Sequence, residues 1–162
     1  TTLGPMAHNR FADEVRAQIA EAVALGATPL IDSSEFTADK GTDAYLAPQI
    51  LINVNHKMRV MKDESFGPVV GIMAVASDDE AVDLMNDSPF CLTASIWTED
   101  TDAALAIGKR IETGTVFMNR CDYLDPALCW TGCKETGRGA SLSSLGYMSV
   151  TRAKSYHLKK HK

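Results

Sequence analysis

Two hydrophobic periods exchange repeatedly along the middle of this chain, and that exchange limits its fold more than any other feature. Ile50, Leu51, Ile52 and Val54 form an apolar run rich in β-branched residues after Pro48, and Val69 to Val75 form a second after Gly67-Pro68. Short runs of this kind, bounded by turn residues, read as buried strands. Ser77 and Glu80 follow at the spacing of a capping box, in which each side chain satisfies an exposed backbone N–H at a helix start. Ala81, Val82, Leu84 and Met85 continue that helix until Asn86 and Pro89 end it. Thr93 to Thr98 reads as a strand, Asp100 to Ile111 as a helix with Ala104, Ile107 and Ile111 on one face and Gly114 as its cap, and Thr115 to Met118 as a further strand. The order strand, helix, strand, helix, strand with short connections implies right-handed crossovers and a mainly parallel sheet covered by helices, an α/β fold.

Ahead of this region Phe11, Val15, Ile19 and Val23 recur every four residues between charged residues, which predicts a helix with one core-facing stripe, capped by Gly26. Behind it, residues 119–139 are irregular and hold Pro126, Gly132, Gly137 and Gly139. A loop of that length in a compact domain is usually functional or disordered. A short segment near Leu142 to Leu145 follows, then Met148 to Leu158, which reads as a final strand or a loose tail. The 162 residues, 45% of them hydrophobic, suffice for one sizeable core and not for two full domains.

A net charge of −5 with a pI near 5.3 gives no broad positive field for nucleic acid or anionic lipid. The basic end Lys159, Lys160, His161, Lys162 reads as a solvated tail. No apolar run approaches the roughly 20 residues needed to span a bilayer, so no membrane partner is expected and a soluble cytoplasmic protein is the default. The four cysteines, Cys91, Cys121, Cys129 and Cys133, lie in the second half and do not suggest a secreted disulfide framework; reduced thiols fit best.

Glu64-Ser65-Phe66-Gly67-Pro68-Val69 places a carboxylate and an aromatic two residues apart before a strand, and in extended chain such residues point the same way. A carboxylate can accept hydrogen bonds from both hydroxyls of a ribose, and an aromatic face can pack on a flat ring, so the pair suits a nucleotide; a surface Glu and a core Phe at a Gly-Pro turn is the plainer alternative. Cys129 and Cys133 have no second cysteine pair or nearby histidine to complete a zinc site, and a thiolate nucleophile would have only Lys134 beside it. His157 and His161 stand four apart in a segment that does not read as helix, so no metal site is expected, and His8 and His56 receive no role.

Taken in order, these landmarks resemble the aldehyde dehydrogenase superfamily from about Leu3 to Lys154. Leu3-Gly4-Pro5, Gly26-Ala27, Gly41 and Pro48 follow its spacing, and Glu64, Phe66, Gly67, Pro68 and Val69 form its most specific signature here. Asn86, Leu92, Gly114-Thr115-Val116, Asn119, Gly132, Lys134, Gly137 and Gly139 continue the series. The resemblance implies that residues 1–147 are the C-terminal portion of an aldehyde dehydrogenase catalytic domain, and that 148–162 form a terminal strand or tail through which the protein assembles into a homo-oligomer. It implies that Glu64 binds the hydroxyls of the ribose beside the nicotinamide of NAD or NADP in the complete protein, that Phe66 packs near the nicotinamide ring, and that Trp130 lies in the pocket for an aldehyde substrate.

The family chemistry is attack of a cysteine thiolate on the aldehyde, hydride transfer to the nicotinamide, and hydrolysis of the thioester. The family's nucleophile, general-base glutamate and dinucleotide domain all precede the matched stretch, so no residue here is expected to be catalytic, and a fragment inactive alone is expected. Cys91 stands where the family usually has glycine, Cys129 and Thr131 replace the proline and first glycine of its Pro-aromatic-Gly-Gly turn, and Thr136 replaces a serine. A non-glycine at Thr131 narrows the backbone angles available and is expected to reshape the substrate loop. Two other readings stand beside this one: a truncated, non-catalytic module for binding or assembly, and an independent thiol enzyme using Cys121, Cys129 or Cys133.

Overall fold

A computed structural model of the chain describes residues 3–121 and 123–160. Helix α1, Asn9–Ala24, opens on His8, whose Nδ1 accepts the Arg10 N–H at 3.1 Å, and closes at Gly26 with φ +106°, the left-handed turn that glycine adopts freely. Its buried face is Ala12, Val15, Gln18 and Ala22, while Phe11 and Val23 are exposed. The stripe therefore sits to one side of the expected series Phe11, Val15, Ile19, Val23. Alanines at 12 and 22 let the helix approach its neighbours closely, and bulkier side chains at those positions would hold it off.

Strand β1, Thr28–Pro29, pairs antiparallel with β2, Gln49–Ile52, and β2 pairs in parallel with β3, Val69–Ile72, Leu51 standing opposite Gly71. Leu51, Ala22, Ala27, Val54 and Met58 form the buried cluster, with Ile19, Val60, Met61, Val69 and Met73 packed around it. The 3-10 turn Arg59–Met61 lies between β2 and β3. A Cβ at Gly71 would overlap Met61, so the missing side chain is what lets that turn sit over the strand. Arg16 and Asp39 pin the long excursion between β1 and β2. Arg16 donates to Asp39 and to the carbonyls of Asp43 and Tyr45, and Asp39 also accepts the N–H groups of Gly41 and Ala47, each at 2.8 Å.

Helix α2, Asp78–Asn86, starts as its sequence implies: Ser77 Oγ accepts the Glu80 N–H at 3.2 Å. The reciprocal bond runs from the Ala76 N–H to Glu80, one residue earlier than in the standard box. Strand β4, Phe90–Cys91, is followed by β5, Thr93–Ile96, helix α3, Thr101–Gly108, and β6, Thr115–Met118. β5 and β6 pair in parallel over four residues around α3, the expected strand–helix–strand crossover. Strand β7, Cys133–Lys134, returns antiparallel to β4, and helix α4, Ser143–Val150, comes last.

The chain divides into two compact units, one ending at Leu84 and one beginning at Met85. The architecture is α/β and both four-residue ladders are parallel, but the strands divide among three separate sheets. Two expectations need correction. Gly114 does not cap α3, which ends six residues earlier. A Cβ at Gly114 would collide with the Thr131 carbonyl, so the position is reserved for backbone approach. Nor do the residues from Met148 form a strand in the single chain: Met148 to Val150 complete α4, and 151–160, the part also readable as a tail, carry no regular element and are exposed. A strand needs a neighbour for its ladder bonds, and this segment has none among the described residues of the single chain.

Candidate functional site

In the first unit Glu64, Ser65 and Phe66 line a cleft of about 290 Å³ together with Met6, Ala7, Phe11 and Glu14. The segment is not extended, because Phe66 has φ +47°, so the alternation argument for Glu64 and Phe66 does not hold. They meet by a different route. A non-glycine residue in the left-handed region costs energy and persists where the surroundings dictate it, and here both neighbours are fixed. Ser65 Oγ donates to Gln18 Oε1 at 2.6 Å, and Gln18 is buried on α1. On the other side, a Cβ at Gly67 would crowd Val15 and Met6, so Gly67 lies flat on the helix. Clamped at 65 and 67, the chain presents the Phe66 ring 81% exposed, with the Glu64 carboxylate also exposed. An unburied acceptor and an open aromatic face in one cleft fit a ribose and a flat ring.

In the second unit Trp130 is half-buried and joined to Ser141 by two backbone hydrogen bonds of 2.8 and 2.9 Å. It borders a hollow of about 160 Å³ shared with Phe117, Arg120, Tyr123, Leu128 and Cys129, where the Arg120 guanidinium lies 4.1 Å over the Tyr123 ring. Thr131 has no positive φ, and its hydroxyl donates to the Gly139 carbonyl at 2.6 Å, so threonine adds a tie across the loop. Thr136 keeps the hydroxyl of the serine it replaces and accepts the Cys91 N–H at 2.7 Å.

Lys134 is a fastener of this loop. Its ammonium reaches Glu112 at 2.8 Å and the carbonyls of Asn86 and Ser88. The hydrogen bond to Glu112 raises its pKa, against the desolvation that lowers it. Asn86 exchanges side-chain bonds with the Arg110 carbonyl and the Glu112 N–H, and Asn119 does the same with both backbone groups of Thr98. Asn86, Asn119 and Lys134, all in the ordered series of landmarks, thus hold elements in place. Sequence reasoning missed Gln18 and Ser65. The available signal was a glutamine three residues after Val15, on the face that the helix buries.

All four cysteines are free: Cys91 is buried, Cys129 and Cys133 half-buried, and Cys121 exposed. Among the described residues no group of three or more His, Cys, Asp or Glu is placed to hold a metal ion, and no helix is long and apolar enough to cross a membrane.

A sequence profile of the aldehyde dehydrogenase family matches residues 1–156. This chain belongs to the aldehyde dehydrogenase family. It is 35% identical over 144 residues to a succinate semialdehyde dehydrogenase of Escherichia coli K12 named for NAD(P)+, covering 89% of this chain and 30% of that protein. Identity is 32% over 154 residues to the NADP+ succinate-semialdehyde dehydrogenase of Deinococcus radiodurans, covering 95% and 32%. The crystal structure of succinic semialdehyde dehydrogenase from Streptococcus pyogenes with NADP+ superposes with a TM-score of 0.82 at 32% identity, over 92% of this chain and 32% of that one. The chain therefore spans about a third of the length of the relatives it matches.

Proposed function

We propose that the chain is the C-terminal part of the catalytic domain of an NAD(P)-dependent aldehyde dehydrogenase that oxidises an aldehyde to a carboxylic acid, and that these 162 residues alone do not turn over. The observation that carries this reading is the shared cleft of Glu64 and Phe66. Bound NAD(P)+ supplies the hydride acceptor. The Glu64 carboxylate accepts hydrogen bonds from the two hydroxyls of the nicotinamide-side ribose, and Phe66 offers its exposed face beside the nicotinamide. Trp130 forms part of the wall that receives the aldehyde and excludes water from it. None of the four cysteines matches the family's nucleophile, which is why turnover is assigned to the longer protein. Free thiols agree with a cytoplasmic setting.

The stretch beyond α4, in the segment 148–162, serves assembly in this reading. Tyr156 and Leu158 are exposed at 73% and 86% in a stretch with no ladder partner among the described residues, which favours strand addition to a second copy. The same observation is what a non-catalytic assembly module would show. The two are separated by expressing the longest protein its gene encodes and assaying aldehyde-dependent NAD(P)H formation with Glu64→Gln beside the parent sequence. An enzyme loses affinity for the dinucleotide in the variant; an assembly module shows no turnover in either.

A further inference from the structure

Cys91 and Cys133 are direct register partners in the antiparallel ladder of β4 and β7. Both are free, and together they make the one cross-strand cysteine pair among the described residues. We propose that this pair is a redox modification site, at which a hydroperoxide converts the two thiols into a Cys91–Cys133 disulfide. Residues opposed in an antiparallel pair have Cα atoms about 4.5–5.5 Å apart and side chains on one face of the sheet. A disulfide accepts Cα separations of about 4.4–6.8 Å, so the ladder already holds these backbones within range.

Three features fix the register. The Glu135 N–H donates to the Pro89 carbonyl at 2.9 Å on one side of the pair. Thr136 Oγ1 accepts the Cys91 N–H at 2.7 Å, and the Lys134 ammonium anchors β7 to the Ser88 carbonyl. Cys91 Sγ itself rests 3.8 Å from that carbonyl, a weak contact, and closing the bond asks the thiol to leave it.

The difference in exposure sets the order of events. Cys133 is half-buried and Cys91 is 6% exposed, so the peroxide meets Cys133 first. The Cys133 sulfur attacks the peroxide O–O bond and its proton goes to the departing oxygen, giving a sulfenic acid and an alcohol or water. Cys91 then displaces the sulfenic oxygen as water, forming the S–S bond. Two thiols and one hydroperoxide thus yield one disulfide, one alcohol and one water; the sulfurs lose two electrons and the peroxide gains them. Burial keeps Cys91 from oxidant and places it as the resolving thiol. The bond staples β4 to the strand that directly follows Trp130, Thr131 and Gly132, and so fixes the base of that loop. It does not depend on the dehydrogenase reading.

The test is peptide mapping of the full chain, reduced, treated with hydrogen peroxide under native conditions, alkylated, and digested without reductant. The expected result is a linked pair of peptides carrying Cys91 and Cys133, with alkylatable thiols falling from four to two. The linked peptide should be lost in Cys133→Ser, with Cys91 recovered alkylated, and should no longer dominate when the wild-type chain is oxidised in urea, where the register is gone. Mapping the unsubstituted chain decides the matter even if that variant does not fold. Recovery of Cys91 and Cys133 both alkylated while Cys121 is oxidised would overturn the proposal, as would a predominant Cys129–Cys133 or intermolecular link.

Discussion

Ser65 Oγ donates to Gln18 Oε1 at 2.6 Å, and this one bond between a loop and the buried face of α1 sets the position of both residues that flank it in the cleft. Gln18 is 1% exposed, so its amide is held where few alternative partners exist. Removing an acceptor of this kind costs about 1–3 kcal/mol, because the remaining donor is left without a partner. Gln18→Leu should therefore lower the unfolding free energy by that amount, read as a lower urea midpoint at unchanged slope, and loosen residues 64–66, read as faster amide exchange there than in β2. A midpoint unchanged within error would remove the bond from the account.

Glu64→Gln in the longest protein its gene encodes should raise KM for NAD(P)+ by roughly 10- to 100-fold, the loss of a charge-assisted hydrogen bond worth about 1.5–3 kcal/mol. The folded structure should be unaffected, because the Glu64 side chain is exposed. Steady-state kinetics with the dinucleotide varied checks this, and an unchanged KM would return Glu64 to a surface role.

Gly114 is a packing residue in this account. A Cβ there meets the Thr131 carbonyl, and backbone cannot move aside as a flexible side chain can. Gly114→Ala should destabilise the second unit by more than about 2 kcal/mol through strain between β6 and the Trp130 loop. Thermal unfolding would show it, and a variant as stable as the parent would mean that the loop is free to shift.

Acid should release the excursion between β1 and β2. Burial pushes the Asp39 carboxyl up, but hydrogen bonds from the Ala47 and Gly41 N–H groups and from Arg16 outweigh it and hold the group below the ordinary carboxylate value. A lowered folded pKa means that the stabilisation is fully present above the unfolded value of about 3.9 and is lost as pH falls through the folded one. Urea midpoints for the parent and Asp39→Asn should differ at neutral pH and converge as pH falls through the lowered folded value. Parallel curves would show that Asp39 does not contribute through its charge.

The elements that were legible in advance are those whose signal is local. The capping pair Ser77 and Glu80, the cap at Gly26, and the β5–α3–β6 crossover each follow from residues within one or two turns of one another. What escaped depends on partners far along the chain. The face that α1 buries is chosen by contact with β2 and the turn near Met58, and periodicity alone points to Phe11 and Val23 where the helix buries Ala12 and Ala22. Gly114 looks like a cap until Thr131, seventeen residues later, is brought against it. In the candidate site, the ordered landmarks single out Glu64, Phe66 and Trp130 as candidates. Nothing in their spacing reveals that Phe66 turns left-handed, because that angle is imposed by Gln18 and Gly67 on either side. From 148 the composition leaves a strand or a loose tail open, because a strand exists only with a ladder partner, and the single chain offers it none among the described residues.

The most direct test of the central claim is aldehyde-dependent NAD(P)H formation, measured for the 162-residue chain beside a protein extended upstream along the same gene. The account predicts turnover only in the extended protein, lost when an upstream cysteine is replaced and weakened in dinucleotide affinity by Glu64→Gln. Turnover by the 162-residue chain alone, abolished by replacing Cys121, Cys129 or Cys133, would contradict it and make this chain a thiol enzyme in its own right.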